Sequence, residues 1–210
     1  MDESWTAAGT PDFEVAGLLL AAGGGRRLGG RPKALLRHRG GLLVERAAAA
    51  LRAGGCTRVL VVLGAAADRV RREATLPGCA LVDNPAWTEG MGTSLRTGLD
   101  ALAASGDPPG AALVTLVDQP GVSAAAVARV RHAYTSPTSL AAAAYDGHRG
   151  HPVLLGAAHW AGVTASARGD RGARGYLAAH GAALTLVECS DVADPRDIDT
   201  AADLARLDSL

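Results

Sequence analysis

From Val15 onward, short apolar runs alternate with segments rich in Ala, Leu and Arg whose apolar positions recur at helical spacing. That alternation predicts repeated strand–helix units, which build a mostly parallel sheet with helices on both faces, an α/β/α sandwich of three layers. Strands are expected near Val15–Leu20, Arg58–Leu63, Ala80–Val82, Ala111–Val117, Leu140–Tyr145, Pro152–Leu155 and Leu184–Glu188. The central runs are apolar at every position, as strands buried on both faces require. Helices are expected at Leu42–Ala53, Ala66–Ala74, Gly92–Ala104, Ser123–Tyr134, Arg171–His180 and Thr200–Leu207, several closed by Gly or Pro just past the last turn.

The chain has 210 residues, 48% of them hydrophobic, enough for one substantial core. Residues 1–13, with Gly, Pro, Thr and Ser among acids, read as a flexible N-terminal tail, and residues 14–210 as a single domain. Aromatics make up only 3%, so the core must be built from Ala, Val and Leu. Lys and Arg total 21 and Asp and Glu total 21, which leaves no bulk charge to attract nucleic acid or an anionic membrane; any bound anion must be held locally. Cys56, Cys79 and Cys189 lack the spacing of a structural zinc site and are expected as free thiols. No apolar run approaches the roughly 18 residues that cross a bilayer. Asp2 and Glu3 stand where a signal peptide carries positive charge, so a cytoplasmic location is expected.

In an open parallel sheet, ligands sit beyond the carboxyl ends of the strands. The loop after the first strand, Leu20-Ala21-Ala22-Gly23-Gly24-Gly25-Arg26-Arg27-Leu28-Gly29-Gly30-Arg31-Pro32-Lys33, packs five glycines and four cations into fourteen residues. Glycine lets backbone amides converge on phosphate oxygens, while Arg and Lys supply countercharge, so the expected ligand is a polyphosphate. Two better-known phosphate loops fail on spacing. Walker A needs Lys and Ser or Thr directly after its second glycine, yet Gly29 is followed by Gly30 and Arg31; the dinucleotide pattern starts at Gly23 and Gly25 and breaks at Leu28.

The loop resembles the nucleotidyltransferase signature L-A-A-G-x-G/S-x-R-M/L-G-x-x-x-K, carried by enzymes that attach a nucleoside monophosphate to a phosphorylated acceptor. Within them the chain is most similar to the molybdenum cofactor cytidylyltransferases and guanylyltransferases, the MobA-like NTP transferases, and the likeness runs from about Val15 to Leu207. The resemblance implies a Rossmann-like sandwich of the nucleotide-diphospho-sugar transferase type. It places Leu20, Ala21, Ala22, Gly23, Gly24, Gly25, Arg27 and Lys33 around the nucleotide. Leu20-Ala21-Ala22-Gly23 is similar to the cytidylyl form, the guanylyl branch reading L-A-G-G, so CTP is the favoured nucleotide and GTP the alternative.

Five later segments extend the likeness. Asp118, in Val117-Asp118-Gln119-Pro120, is a carboxylate at the end of a buried strand: it either caps the helix near Ser123 or meets a cation, and Mg²⁺ needs only one or two carboxylates beside phosphate oxygens. Asp118-Gln119-Pro120 resembles the family's metal-binding D-x-P. The segment Asn84-Pro85-Ala86-Trp87-Thr88-Glu89-Gly90-Met91-Gly92-Thr93-Ser94-Leu95 reads as an ordinary turn into a helix, with Thr93 or Ser94 as cap; the resemblance adds Asn84 and Ser94 to the nucleotide site. Gly150-His151-Pro152-Val153 and Gly169-Asp170-Arg171-Gly172-Ala173-Arg174 resemble acceptor-side motifs, which makes His151 and Arg174 acceptor-binding candidates; a histidine bonded within a turn is the plainer reading of His151. In Asp197-Ile198-Asp199-Thr200, Asp199 or Thr200 opens the last helix as its N-cap, or Asp199 serves as a second metal ligand.

The activity so implied is Mg²⁺-dependent transfer of CMP from CTP to molybdopterin or a related phosphorylated small molecule, with pyrophosphate released. Arg27, Lys33 and Asp118 are the expected catalytic residues, Asp118 and Asp199 the expected metal ligands. No nucleic acid or membrane partner is expected, and the resemblance leaves room for a molybdoenzyme or chaperone. Two other classes compete: a nicotinamide- or flavin-dependent oxidoreductase, whose ribose-binding acid would have to be Glu45 on a predicted helix, and a silent nucleotide-binding regulator, which would not need Asp118.

Overall fold

The computed structural model describes residues 15–200 together with Ala202, Asp203 and Ala205. Seven strands form one sheet: β1 (Val15–Ala21), β4 (Val59–Leu63), β5 (Cys79–Asp83), β6 (Ala111–Leu116), β7 (Leu140–Tyr145), β8 (His148–Gly156) and β9 (Leu184–Glu188), in the order β5-β4-β1-β6-β8-β7-β9. β2 (Arg37–His38) and β3 (Gly41–Leu42) make a separate two-residue hairpin. β1 pairs in parallel with β4 and β6, β4 with β5, and β7 with β9; β8 alone runs antiparallel, to both β6 and β7.

The reversal at β8 has a local cause. Asp146 and Gly147 hold positive φ, 51° and 78°, the pair that a tight two-residue hairpin demands. Strands joined that closely can only be antiparallel. The sequence pattern predicts Pro152–Leu155 as a strand, and the hairpin extends it to His148–Gly156.

Helices cover both faces. On one lie α1 (Leu43–Ala53), α2 (Ala67–Glu73) and α4 (Ala124–Arg131); on the other lie α3 (Met91–Ala103), α5 (Trp160–Ser166) and α6 (Arg174–Ala179). The period-two alternation of β1 divides its side chains between them: Val15, Leu19 and Ala21 pack with Leu51 and Val127, while Ala16, Leu18 and Leu20 pack with Leu95 and Leu99. Helix α5 is absent from the sequence expectation, and the helix expected over Arg171–His180 begins only at Arg174, after a 3₁₀ turn over Gly169–Arg171. The tail expected over 1–13 lies outside the described residues. So does half of the helix expected at Thr200–Leu207, of which Ala202, Asp203 and Ala205 are helical. Among the described residues, no helix is long and apolar enough to cross a membrane.

The strand order fixes where a ligand can sit. From β1 the chain moves outward through β4 to β5, then returns to place β6 on the other side of β1. The loops after β1 and β6 therefore leave in opposite directions and open a crevice between them at the carboxyl end of the sheet.

Candidate active site

The glycine-rich loop leaves β1 into that crevice. Gly25 sits at φ 63°, and a Cβ there would lie 1.8 Å from the Arg31 carbonyl oxygen, so no other residue fits the turn. The Gly25 carbonyl accepts from the amides of Leu28 (2.8 Å) and Gly30 (3.1 Å), closing a 3₁₀ turn over Arg26–Leu28. A second 3₁₀ turn, Lys33–Leu35, brings the Lys33 side chain back under the loop.

There Lys33 meets two carboxylates distant in sequence. Its Nζ donates to Asp118 Oδ2 at 2.7 Å and to Asp199 Oδ1 at 2.5 Å. Asp118 stands just past β6; the Asp199 segment is tied to the same place, since the Ile198 amide donates to the Asp118 carbonyl at 2.8 Å and Gln119 Nε2 donates to Asp197 Oδ1 at 2.8 Å. Thr200, not Asp199, serves as the cap of the following turn: its amide and hydroxyl donate to Asp203 Oδ2, and the Asp203 amide donates back to Thr200 Oγ1. Asp199 is thereby left to face Lys33. Arg27 reaches Asp199 Oδ2 at 3.5 Å but is 80% exposed, so this contact is weak.

The charges shape one another. Burial acts to lower the Lys33 pKa, but the Asp118 and Asp199 carboxylates outweigh it and hold the ammonium above its ordinary value. Burial, then the neighbouring Asp118 charge, raises Asp197 above the usual carboxylate range, against the Gln119 hydrogen bond. On the opposite wall, burial pushes His151 down to about 4 against the pull of Asp118, with the Arg174 and Arg149 charges adding to the drop. His151 therefore faces the crevice as a neutral imidazole at pH 7, its carbonyl held by Tyr145 Oη at 2.7 Å.

The crevice is a cleft of about 860 Å³, lined on one side by Gly23–Gly25, Arg27 and Lys33, on another by Asp118 and Asp199, and across from them by His151 and Arg174. A side lobe of about 240 Å³ adds Ala22, Trp87 and Ser94. Leu20 lines both; Ala21 and Asn84 line neither. Asn84 is 2% exposed, and its amide is fully engaged: Nδ2 donates to Thr93 Oγ1 (2.8 Å) and Ser94 Oγ (3.0 Å), while Oδ1 accepts from the Ala86 amide (3.0 Å). Its place is that of a strut that fixes how α3 begins.

Three cleft residues were not singled out from the sequence. Arg26 and Arg149 add cations to the lining. Asp170 approaches the first amide of α3, that of Met91, at 3.4 Å, which joins the Gly-Asp-x-Gly-Ala-Arg segment to the Trp87 loop across the cleft. The glycine and arginine content around Arg26 and Arg149 carried that signal; the Asp170 contact, spanning 79 positions, left none.

A divalent cation fits this donor set. Two carboxylates already converge on one ammonium within 2.7 Å, so their lone pairs face a common cation position, and an Mg²⁺-type ion needs little more beyond phosphate oxygens and water. Among the described residues no group of three or more His, Cys, Asp or Glu is placed to hold a metal ion.

A mostly parallel sheet, a glycine loop after its first strand and a Lys–carboxylate cluster facing it define a nucleotide-handling α/β protein. The chain belongs to the MobA-like NTP transferase family, whose model matches residues 17–184. It is 41% identical over 200 residues to the nicotine blue oxidoreductase of Paenarthrobacter nicotinovorans, covering 92% of this chain and 96% of that one. Among solved structures it resembles the homologue of Mycobacterium tuberculosis Rv0371c from Mycobacterium sp. strain JC1, at 30% identity and a TM-score of 0.75 over 92% of this chain and 94% of that one. It also resembles the manganese complex of Rv0371c from M. tuberculosis H37Rv, at 25% identity and a TM-score of 0.72 over 94% and 98% of the two chains.

Proposed function

We propose that this protein is a metal-dependent nucleotidyltransferase that moves CMP from CTP to the terminal phosphate of molybdopterin, or of a related phosphorylated small molecule, and releases pyrophosphate. The observation that carries the reading is the meeting of Lys33, Asp118 and Asp199 beneath the glycine loop. In it, residues 14–210 act as one domain in the cytoplasm, with a molybdoenzyme or chaperone as recipient of the product.

The chemistry is an in-line displacement: an acceptor phosphate oxygen attacks the α-phosphorus, the bond to the β-phosphate oxygen breaks, and pyrophosphate carries the electron pair away. Because the acceptor oxygen is already anionic, no general base is required, and catalysis rests on positioning and charge neutralisation. Gly23–Gly25 bring backbone amides to the triphosphate, and Leu20, Ala22 and Ser94 border the nucleotide. Arg27 and Lys33 offset the charge that gathers on the leaving group. Asp118 and Asp199 would hold Mg²⁺, which supplies further charge neutralisation on the phosphate oxygens when bound. His151, neutral at pH 7, and Arg174 orient the acceptor from the opposite wall.

The test is pyrophosphate release from CTP, GTP, ATP and UTP with Mg²⁺ or Mn²⁺, with and without molybdopterin, beside Asp118→Ala. Turnover of CTP that requires the acceptor and is lost in the variant supports the reading; GTP turnover moves the assignment to the guanylyl alternative. The 41% identical relative carries an oxidoreductase name, which favours a second reading: hydride transfer from a nicotinamide dinucleotide whose pyrophosphate lies under the same glycine loop. Oxidation of NADPH by a dye-like heteroaromatic acceptor, with no pyrophosphate released from any nucleotide, would establish that reading instead.

A further inference from the structure

The His151 wall of the cleft exists because β8 parts from both of its neighbours. From Gly156 back to Val153 it pairs residue by residue with β6, and from Leu155 back to Val153 with β7. Pairing with β7 resumes only between Ala144 and Arg149, so Gly150, His151 and Pro152 stand against Ala143 alone. The same residues have no partner on β6, although that strand runs on to Leu116. β8 lies between β6 and β7 in the sheet, and Pro152 carries no N–H for either ladder, so a strand in that place bulges there. Gly150 and His151 of the bulge line the cleft together with Arg149.

The bulge leaves the His151 carbonyl outside the ladder, and a side chain replaces the missing donor. Tyr145, the last residue of β7 and 7% exposed, donates its hydroxyl to that carbonyl at 2.7 Å. Its ring packs on Gly150, where a Cβ would come within 2.8 Å of Cε2, so glycine is what lets ring and bulge approach this closely. Burial holds the phenol above its ordinary pKa, and the hydroxyl therefore remains a donor at neutral pH. Tyr145 lines neither lobe of the cleft, so it acts there only through the backbone of the bulge.

We propose that Tyr145 is a positioning residue for the acceptor: by holding the His151 carbonyl it sets how far the bulge stands into the cleft, and so how tightly an acceptor phosphate is gripped. The inference rests on the assignment of His151 and Arg174 to the acceptor side. Arg149 and Arg174 supply the charge, and His151 supplies a hydrogen bond whose reach is fixed by the clamp on its own backbone. The glycine loop leaves β1 on the other side of the crevice, so nucleotide binding does not depend on the clamp.

Tyr145→Phe keeps the ring and deletes the donor. In ¹H–¹³C spectra of the free protein, the ring signal of His151, assigned with His151→Gln, should move, while those of His132, His159 and His180 stay. Calorimetry should show phenyl phosphate, a probe for the acceptor phosphate, binding about tenfold more weakly, the scale of leaving one buried carbonyl without its donor, with CTP binding unchanged. Arg174→Met should abolish phenyl phosphate binding, which places the probe on this wall. Gly150→Ala, which drives a methyl against the Tyr145 ring, should give the same pattern and carries the test if Tyr145→Phe does not fold. An unmoved His151 signal, equal phenyl phosphate affinity, equal weakening of phenyl phosphate and CTP, or phenyl phosphate binding that is absent at millimolar concentration or survives Arg174→Met would overturn the proposal. None of these measurements involves transfer, so they decide the role of Tyr145 whether or not pyrophosphate is released.

Discussion

Replacing Lys33 by methionine should make the free protein bind a divalent cation more tightly, although the same substitution weakens the enzyme. In the structure the ammonium takes the lone pairs of Asp118 Oδ2 and Asp199 Oδ1, at 2.7 and 2.5 Å, that a metal would use. A metal arriving without nucleotide must displace it. The contacts are short, but the Asp118 and Asp199 side chains are 20% and 39% exposed, so solvent screens them. About 1 kcal/mol for each contact is a fair discounted value. Together they oppose the metal by about 2 kcal/mol, which converts to about a 30-fold change in Kd. Methionine keeps the length of the side chain and removes the charge. The assay is Mn²⁺ titration followed by loss of the free-ion EPR signal, without nucleotide, on wild type and Lys33→Met matched for folding by circular dichroism. Nucleotide should restore metal binding in the wild type by drawing Lys33 onto its phosphates, so the coupling between metal and nucleotide should shrink in the variant. An unchanged or weakened Mn²⁺ affinity in Lys33→Met would show that Lys33 does not compete for this position.

Three further outcomes are expected. Asp199→Asn should lower pyrophosphate release by about 10²-fold or more, the scale of losing one preorganised charge contact, and should raise the Mg²⁺ concentration needed for half-maximal rate. Gly25→Ala forces a Cβ to within 1.8 Å of the Arg31 carbonyl at φ 63°, so equilibrium dialysis should show nucleotide binding lost even where thermal melts show the sheet still folded. For His151, whose folded pKa of about 4 lies below its usual 6.5, stability is complete above pH 6.5 and is lost as pH falls towards 4, by about 1 kcal/mol per pH unit. His151→Gln should remove that part of the slope in chemical denaturation curves taken between pH 7 and 4; parallel slopes for both proteins would contradict the assignment.

The parallel strands were legible because strands covered on both faces are apolar almost throughout, as β1, β4 and, apart from Thr115, β6 are. Of the antiparallel strand β8 only Pro152–Leu155 was legible, since Asp146-Gly147 lies between an alanine-rich run and a run of His, Arg and Gly that carries little strand signal. Helix α5 escaped for a similar reason: seven residues with only Trp160 and Val163 buried leave a short periodic trace. At the site, glycine density marked the phosphate-type loop directly. The meeting of Lys33 with Asp118 and Asp199 spans 85 and 166 positions and is a product of strand order, which no local spacing encodes. Asn84 illustrates the reverse case: a polar residue in a motif drew attention as a ligand contact, whereas its geometry shows an amide consumed by Thr93, Ser94 and Ala86.

The bond from the Ile198 amide to the Asp118 carbonyl joins the site to a segment that is synthesised last. A nascent chain emerges from the ribosome with the glycine loop, Lys33 and Asp118 long before Asp199, so the sheet from β1 to β8 can form while the last carboxylate is still in the tunnel. Through that interval Lys33 has a single acidic partner, and two-carboxylate metal capture has to wait. On the proposed function, competence therefore arrives as the final stretch docks, and a ribosome stalled before residue 199 is expected to display a folded sheet that binds nucleotide yet takes up metal poorly.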